Sequence, residues 1–234
     1  SGLTLISGAT QYSAGGTCVG VSITAAATAT NCTIIGSGAT IGWQNKYWDA
    51  GGLHLNHDGA LATDCVVTNF SVAGFGSGVY LVKGTLRDSE ISGCIGGTLD
   101  NAYTGGPGAG LYMAGGTAEN CFIHDNVTRY WSSAGVCITG GTLKDCVIVR
   151  NRNLNQETAG VGVVFKGGAM TGCVVSRNFT KSGRECNVYR QVETGTISGL
   201  VSSDYQYGVG NLSRDPVFAN EAGSVLKAQD TDAR

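Results

Sequence analysis

Short apolar segments recur along the chain, and five of them begin with glycine. After the glycine, aliphatic residues alternate with more variable ones, so a period of two places the aliphatic side chains on one face. This pattern predicts short β-strands with one buried face. The five segments are Gly52-Leu-His-Leu, Gly78-Val-Tyr-Leu, Gly110-Leu-Tyr-Met, Gly135-Val-Cys-Ile and Gly162-Val-Val-Phe.

A second strand pattern follows each glycine segment and repeats in seven related copies. The copies align on one predicted inward position, occupied by Cys32, Cys65, Ser89, Cys121, Cys146, Cys173 and Leu200. The spacings between these residues are 33, 24, 32, 25, 27 and 27, which gives a base period of about 25. Self-similarity at such a period is the signature of a solenoid.

The repeat predicts an all-β, right-handed parallel β-helix of about seven coils, with roughly 25 residues per coil. It has neither the leucine frame of leucine-rich repeats nor the length of a propeller blade. Stacked coils lie about 4.8 Å apart, so seven would form a rod about 30 Å long. We expect one domain over 1–234, with an N-terminal edge segment (1–16), the coils (17–205) and a C-terminal closing segment (206–234).

The sequence motif GGTLxxCxIxxN, which begins at Gly140, resembles the right-handed β-helix repeats of bacterial surface proteins. These include adhesin-like and polymorphic outer-membrane proteins, within the pectate-lyase-like superfold, and the resemblance covers roughly residues 17–205. The segment SRDPVFANEAGSVLKAQD, from Ser213, is similar to the DPxF segment that closes many secreted β-helix proteins. The resemblance implies an extracellular or cell-surface location but no particular activity, because this superfold hosts lyases, hydrolases, adhesins and fibre subunits.

The composition limits which kinds of partner we expect the chain to bind. The chain has 38 glycines and two prolines, 42 % hydrophobic and 14 % charged residues, and a net charge of −2. Apolar content at this level favours a folded chain, and the absence of a Lys/Arg cluster argues against nucleic acid as a partner. No apolar run reaches the roughly 18 residues of a membrane span, so no membrane insertion is expected. The start at Ser1 lacks signal-peptide features, which is what a mature secreted form would show.

Nine cysteines would suggest disulfides, but five share the inward repeat position. Stacked side chains from adjacent coils lie about 4.8 Å apart, farther than the ~3.8 Å between the Cβ atoms of a disulfide. A buried ladder of free thiols is therefore predicted at Cys32, Cys65, Cys121, Cys146 and Cys173. The better candidates for a disulfide are the cysteines off the ladder, namely Cys18, Cys94, Cys137 and Cys186.

Outward-pointing residues at equivalent positions of successive coils form two rows along the predicted rod, and neither row contains a catalytic set. Neither row carries the clustered acids that glycoside hydrolysis requires, so we expect no catalytic residues and no cofactor. His124 and Asp125, with Arg150 and Arg177 nearby, form the best polar group, interpreted as a solvated turn with an ion pair. A metal site is not expected, because the three-residue spacing of His54 and His57 places them on opposite strand faces.

One outward row is mostly apolar, with Thr33, Val66, Glu90, Phe122, Val147 and Val174 following the ladder position. Such a stripe favours coverage by a loop, a tail or another subunit.

Aromatic residues gather before several glycine strands, along one predicted edge of the rod. Such rings could stack on sugar faces, since each offers a flat apolar body and often a polar tip. The alternative is that they only cover the edge of the coil. The glycan-binding candidates are Trp43, Tyr47, Trp48, Tyr103, Tyr130 and Trp131.

Five N-x-S/T sequons are candidate glycosylation sites. Asn126 and Asn178 share one repeat position, at a predicted exposed turn, and Asn69 lies one residue short of it. In a source without that machinery they are only turn asparagines. The five are Asn31, Asn69, Asn126, Asn178 and Asn211.

These features favour a non-catalytic, extracellular structural or adhesive β-solenoid. No capping helix is predicted at the N-terminus, where Leu3 to Ile6 already have a strand pattern, and an unpaired edge recruits other chains. The expected partner is the chain itself, end to end or laterally, as a fibre or surface-layer subunit or a stalk. The alternative is a glycan-binding or polysaccharide-cleaving β-helix that uses the aromatic edge.

Overall fold

The structure is a computed structural model, and its described residues form 28 short strands that pair in parallel and are joined by corners and turns. Among the described residues there is no helix, and so none that is long and apolar enough to cross a membrane. The described residues are 1–7, 20–41, 50–97, 106–129, 133–155, 157, 160–191, 194–204 and 211–213.

The strands form four sheets, A to D, each built from one strand per coil. Sheet A has nine strands and sheet B has seven. The strands of sheet A are β1 (Thr4–Ile6), β4 (Thr33–Ile35), β8 (Val66–Thr68), β12 (Glu90–Ser92), β16 (Phe122–His124), β20 (Val147–Val149), β24 (Val174–Ser176), β27 (Val201–Ser202) and β28 (Leu212–Ser213). Those of sheet B are β2 (Val21–Ile23), β6 (Leu53–Leu55), β10 (Val79–Leu81), β14 (Leu111–Met113), β18 (Val136–Ile138), β22 (Val163–Phe165) and β25 (Val188–Arg190).

Sheets C and D complete each coil, and they have seven and five strands among the described residues. The strands of sheet C are β3 (Thr28–Thr30), β7 (Leu61–Thr63), β11 (Thr85–Arg87), β15 (Thr117–Glu119), β19 (Thr142–Lys144), β23 (Ala169–Thr171) and β26 (Thr196–Ser198). Those of sheet D are β5 (Thr40–Ile41), β9 (Ser71–Val72), β13 (Ile95–Gly96), β17 (Val127–Thr128) and β21 (Arg152–Asn153).

The chain visits the sheets in the order B, C, A, D and then starts the next coil, which confirms the predicted parallel β-helix. The register also confirms the repeat alignment, since Val66, Glu90 and Phe122, each following a ladder residue, are strand partners. Two details differ from prediction. Among the described residues five coils have four short strands instead of two, and β1 and β28 add a strand at either end of sheet A.

The core fills the space between the sheets with stacked rows of aliphatic side chains. On sheet A the inward row includes Ile34, Val67, Ile91, Ile123 and Ile148, each at most 1 % exposed. Burying each such side chain contributes about 1.5–3 kcal/mol before entropy is subtracted. The alternation predicted from the sequence therefore becomes one continuous core along the rod.

Glycine begins the strands of sheet B because two coils approach closely there. A Cβ added to Gly135 would lie 2.4 Å from the carbonyl oxygen of Gly162 in the next coil and 2.8 Å from Cγ2 of Ile148. Neither a backbone carbonyl nor a buried isoleucine can move aside without a large cost in free energy. The recurring glycine is thus a requirement of coil stacking.

Single residues in the left-handed conformation form the corners on both sides of sheet A. The corner before sheet A uses Asn31, Asp64, Asp88, Asn120 and Asp145, with φ between 49° and 53°. Asn and Asp tolerate this conformation best among residues with a side chain, which is why they recur at this corner.

The corner between sheets A and D includes residues that are uncommon in the left-handed conformation. It uses Asn69, Asp125, Arg150 and Arg177, with φ between 53° and 63°. An arginine in this conformation is uncommon and costs about 1–3 kcal/mol.

Candidate functional site

Four side chains meet on the outer face of sheet A and at its corner with sheet D. Glu90 lies on β12 and His124 on β16, and both point outward because their neighbour Ile91 or Ile123 points into the core. Asp125 and Arg150 occupy the corner directly after β16 and β20. We call these four residues the outer cluster.

The imidazole of His124 is held between two carboxylates. Its Nε2 lies 3.1 Å from Oε1 of Glu90, and its Nδ1 lies 2.6 Å from Oδ2 of Asp125. Arg150 donates from Nε to both oxygens of Asp125, at 3.1 and 3.2 Å, and from its terminal nitrogen to Oδ2 at 2.8 Å. The predicted ion pair of Asp125 and Arg150 therefore exists, and Glu90 is a member that the sequence interpretation did not connect to it.

The outer cluster packs on the ring of Phe122. The ring of His124 stacks on it at a centroid distance of 3.9 Å, and the guanidinium carbon of Arg150 lies 5.8 Å from its centroid. Phe122 packs with Val147 and Val149 in a small apolar group outside the main core. Part of the predicted apolar stripe is thus covered by the chain's own polar cluster, which weakens the case for lateral association there.

The cluster perturbs the ionisation of Asp125. Partial burial raises the pKa of this carboxyl, but the hydrogen bonds from Arg150 and His124 outweigh burial and leave the pKa below its ordinary value. The carboxylate is therefore the stable form near neutral pH. Arg177, also predicted in this group, is not in the cluster; its backbone N–H donates to Oε1 of Glu185 at 2.6 Å.

An open cleft of about 480 Å³ adjoins the outer cluster at the corner of sheets A and D. It is lined by Asp125, Arg150, Arg152, Phe179 and Gly183, and we call it the corner cleft. The sequence interpretation missed Arg152 and Phe179. The signal was present in the repeat, because both lie two residues after a corner arginine, on neighbouring coils.

The two histidines considered as a metal pair have separate roles. His54 is buried and its Nδ1 lies 3.1 Å from the hydroxyl of Ser22, whereas Nδ1 of His57 accepts from the backbone N–H of Gly59 at 3.0 Å. In the described part of the chain, no group of three or more His, Cys, Asp or Glu side chains is arranged to hold a metal ion.

Two predicted glycosylation sites are buried, which corrects the expectation of an exposed turn. Asn126 and Asn178 are 0 % exposed and form a column with Asn151 and Asn187 inside the corner of sheets A and D. The amide oxygens of Asn151, Asn178 and Asn187 each accept from the asparagine one step earlier, as Oδ1 of Asn151 does from the backbone N–H (3.0 Å) and Nδ2 (3.1 Å) of Asn126. Since their amide groups are enclosed and bonded, neither can carry a glycan in the folded chain.

The asparagine column ends at acidic residues. The backbone N–H of Asn187 donates to Asp204 at 2.5 Å, and its Nδ2 donates to Glu185 at 2.9 Å. Glu185 also accepts from the hydroxyl of Ser203 at 2.8 Å. Partial burial raises the pKa of Glu185, but these hydrogen bonds more than offset it and leave the pKa below its ordinary value. The acids thus satisfy the last donors of the column.

The other sequon asparagines are at least partly accessible. Asn31 and Asn69 are exposed corner residues. Asn211 is half-buried, and its Oδ1 accepts from the backbone N–H of Leu200 at 2.8 Å. Candidate glycosylation therefore stays a prediction for these three.

The structure places all five predicted ladder cysteines in the core as free thiols. The thiol of Cys146 donates to the carbonyl of Lys144 at 3.1 Å, and its sulfur accepts from the backbone N–H of Cys121 at 3.4 Å. Ser89 does the same with its hydroxyl, which donates to Arg87 and accepts from the backbone N–H of Cys65. Six of the seven ladder positions thus carry a small side chain that donates to a backbone carbonyl, which explains why serine can replace cysteine.

The predicted disulfide candidates do not pair among the described residues. Cys94, Cys137 and Cys186 are buried free thiols, while Cys18 lies outside those residues. Burial raises the pKa of Cys94 to about 12 and that of Cys137 to about 11. Thiolates are the reactive form, so Cys94 and Cys137 are inert in the folded state.

All six predicted glycan-binding aromatics, Trp43, Tyr47, Trp48, Tyr103, Tyr130 and Trp131, lie outside the described residues. A different aromatic group is found on the outer face of sheet B. His54 and Tyr80 stack at 5.4 Å, Tyr80 meets Tyr112 edge-on at 5.3 Å, and Phe75 lies 4.8 Å from Tyr112. Because these rings cover one another, the group stabilises contacts between coils.

Comparisons with family models, curated proteins and solved structures find no match to this chain. The resemblance to bacterial surface β-helix repeats therefore stays a prediction, and function has to be inferred from geometry.

Proposed function

We propose that this chain is a non-catalytic structural or adhesive β-solenoid of the extracellular space or cell surface, which self-associates end to end. The observation that carries the proposal is the exposed apolar strand β1. Leu5 occupies the inward core row of sheet A, yet it is 37 % exposed, while Ile34 beside it in β4 is 1 % exposed. Leu3 and Ile6 are 53 % and 72 % exposed.

β1 has an unpaired edge among the described strands. It pairs with β4 on one side, and the described part of sheet A contains no strand on its other side. Such an edge presents backbone donors and acceptors together with an open apolar row, and both can be satisfied by a strand from a second copy. Every coil already stacks on its neighbour in this way, so association extends the interaction that builds the rod.

The outer cluster supports a non-catalytic role. Both ring nitrogens of His124 and both oxygens of Asp125 are engaged with other members of the cluster. A general acid or base must reach a substrate proton, and these groups are bound to one another instead. The alternative of a glycan-binding or polysaccharide-cleaving helix depends on aromatic residues outside the described part, and it stays a prediction.

The test is the assembly state of the native chain, measured by negative-stain electron microscopy and light scattering. We expect filaments or end-to-end oligomers for the wild type, and shorter or single rods for Leu5→Lys, because a charge would enter the exposed core row. Leu154→Lys is the matched control, since Leu154 is 43 % exposed but follows β21 on the side of the rod. A monodisperse wild-type monomer at high concentration, or equal assembly of both variants, contradicts the proposal.

A further inference from the structure

We propose that the corner cleft binds an acidic sugar, meaning a sugar ring that carries a carboxylate or a sulfate ester. The cleft lies on the side of the rod, away from the exposed edge of β1, so this site does not depend on end-to-end association. Its volume of about 480 Å³ is within the range of about 300–1,000 Å³ typical of small-molecule sites.

Two guanidinium groups line the cleft, and they differ in what holds them. Arg150 is bound by Asp125 through three hydrogen bonds and lies over Phe122. Arg152 is exposed, and its guanidinium has no ion-pair partner among the described residues. Guanidinium recognises carboxylate and sulfate groups through paired N–H donors. Arg152 is therefore the group available to an incoming anion.

Phe179 supplies an apolar wall beside Arg152. The two residues are bridge partners on adjacent coils, so both side chains project from the outer face of sheet D. An aromatic ring in this position can pack against the C–H face of a sugar. Asp125 is half exposed, and within the described residues its Oδ1 accepts one hydrogen bond, from Nε of Arg150, so this oxygen can accept another from a ring hydroxyl. An anionic group, a ring face and hydroxyls are together the features of an acidic sugar.

The experiment is a chemical-shift titration of the full chain by NMR at constant ionic strength. The probes are glucuronate, glucose and inorganic sulfate. Arg152→Gln removes the available cation, and Arg87→Gln is the control, because it removes the same charge from an exposed site on sheet C. Thermal unfolding of both variants establishes that they are folded.

We expect glucuronate to shift resonances of the cleft in the wild type and in Arg87→Gln. Its affinity should fall about tenfold or more in Arg152→Gln, as expected for loss of a charged hydrogen bond. Glucose should bind far more weakly than glucuronate, and sulfate more weakly because it lacks a ring. The proposal is overturned if glucuronate does not bind, if glucose binds equally well, or if Arg152→Gln behaves as Arg87→Gln does. Sulfate binding as tightly as glucuronate would exclude the contact with Phe179 and hence the sugar.

Discussion

Asn151 in the asparagine column offers the sharpest test of how the coils are held together. Its Oδ1 accepts from the backbone N–H and Nδ2 of Asn126. Its Nδ2 donates to Ile123 O at 3.1 Å, Val149 O at 3.1 Å and Asn178 Oδ1 at 2.9 Å. Asn151→Ala removes all of these contacts, in which the two hydrogens of Nδ2 are shared among three acceptors, from a site that is 0 % exposed.

The expected loss of stability depends on which hydrogen-bonding partners of Asn151 stay unsatisfied in the variant. Nδ2 of Asn126 keeps its bond to Ile91 O, and Oδ1 of Asn178 keeps the backbone N–H of residue 151. The backbone N–H of Asn126 loses the acceptor that Oδ1 supplied, and leaving a buried donor unsatisfied costs about 1–3 kcal/mol. With the lost packing of the amide, we expect a decrease of about 2–4 kcal/mol in the free energy of unfolding.

The assay is urea unfolding followed by circular dichroism, under reducing conditions. Asn155→Ala is the matched control, because Asn155 is an exposed asparagine four residues away, and we expect a change within about 0.5 kcal/mol. The reasoning is refuted if the two variants unfold at the same urea concentration. Such a result would mean that water replaces the lost partners and that the column adds nothing to stacking.

Three further outcomes are expected. Gly135→Ala should lower the free energy of unfolding by about 3 kcal/mol or more, since its Cβ would lie 2.4 Å from a backbone oxygen, as urea unfolding will show. Asp125→Asn should lower the melting temperature at pH 7. Because the folded-state pKa of Asp125 is depressed, the stabilisation is present above its unfolded value of about 3.9 and is lost as the pH falls through the folded pKa, so wild type and variant should converge in acid. Iodoacetamide at pH 8 should leave the eight described cysteines unmodified until denaturant is added, as mass spectrometry will show, because all are buried.

Each of these three predictions would be contradicted by a different result. Wild-type stability of Gly135→Ala would mean that the coils can separate locally. A difference between Asp125→Asn and wild type that is constant down to pH 2 would exclude ionisation as the cause. Rapid native modification of a described cysteine would show that the core opens on the time scale of labelling.

The fold was predictable because its signals are local and repeated. Strand alternation and the ladder position identify the inward residues in every copy, and the register of β8, β12 and β16 confirms that alignment. The strands of sheets C and D were not predicted separately. Only two residues separate each strand of sheet C from the next strand of sheet A, and the strands of sheet D are two residues long, so neither shows a periodicity of its own.

The candidate site was predictable only in part. Asp125 and Arg150 share a repeat position, which indicated their pairing from the sequence. Glu90 and His124 sit at different positions of their strands, and they meet diagonally across adjacent coils. Arg152 and Phe179 come together through an isolated bridge beyond the last regular strand of sheet D.

The sequence alone determined the period, the inward rows and the all-β solenoid, because each depends on residues close together in the chain. The tertiary structure decided which way the residues beyond each corner point. Since Asp125 adopts a left-handed φ of 53°, the chain turns one residue before Asn126 and directs its amide inward. A sequon predicted to be exposed thus becomes part of a buried column, because stacked coils offer that amide hydrogen-bond partners more than 20 residues away.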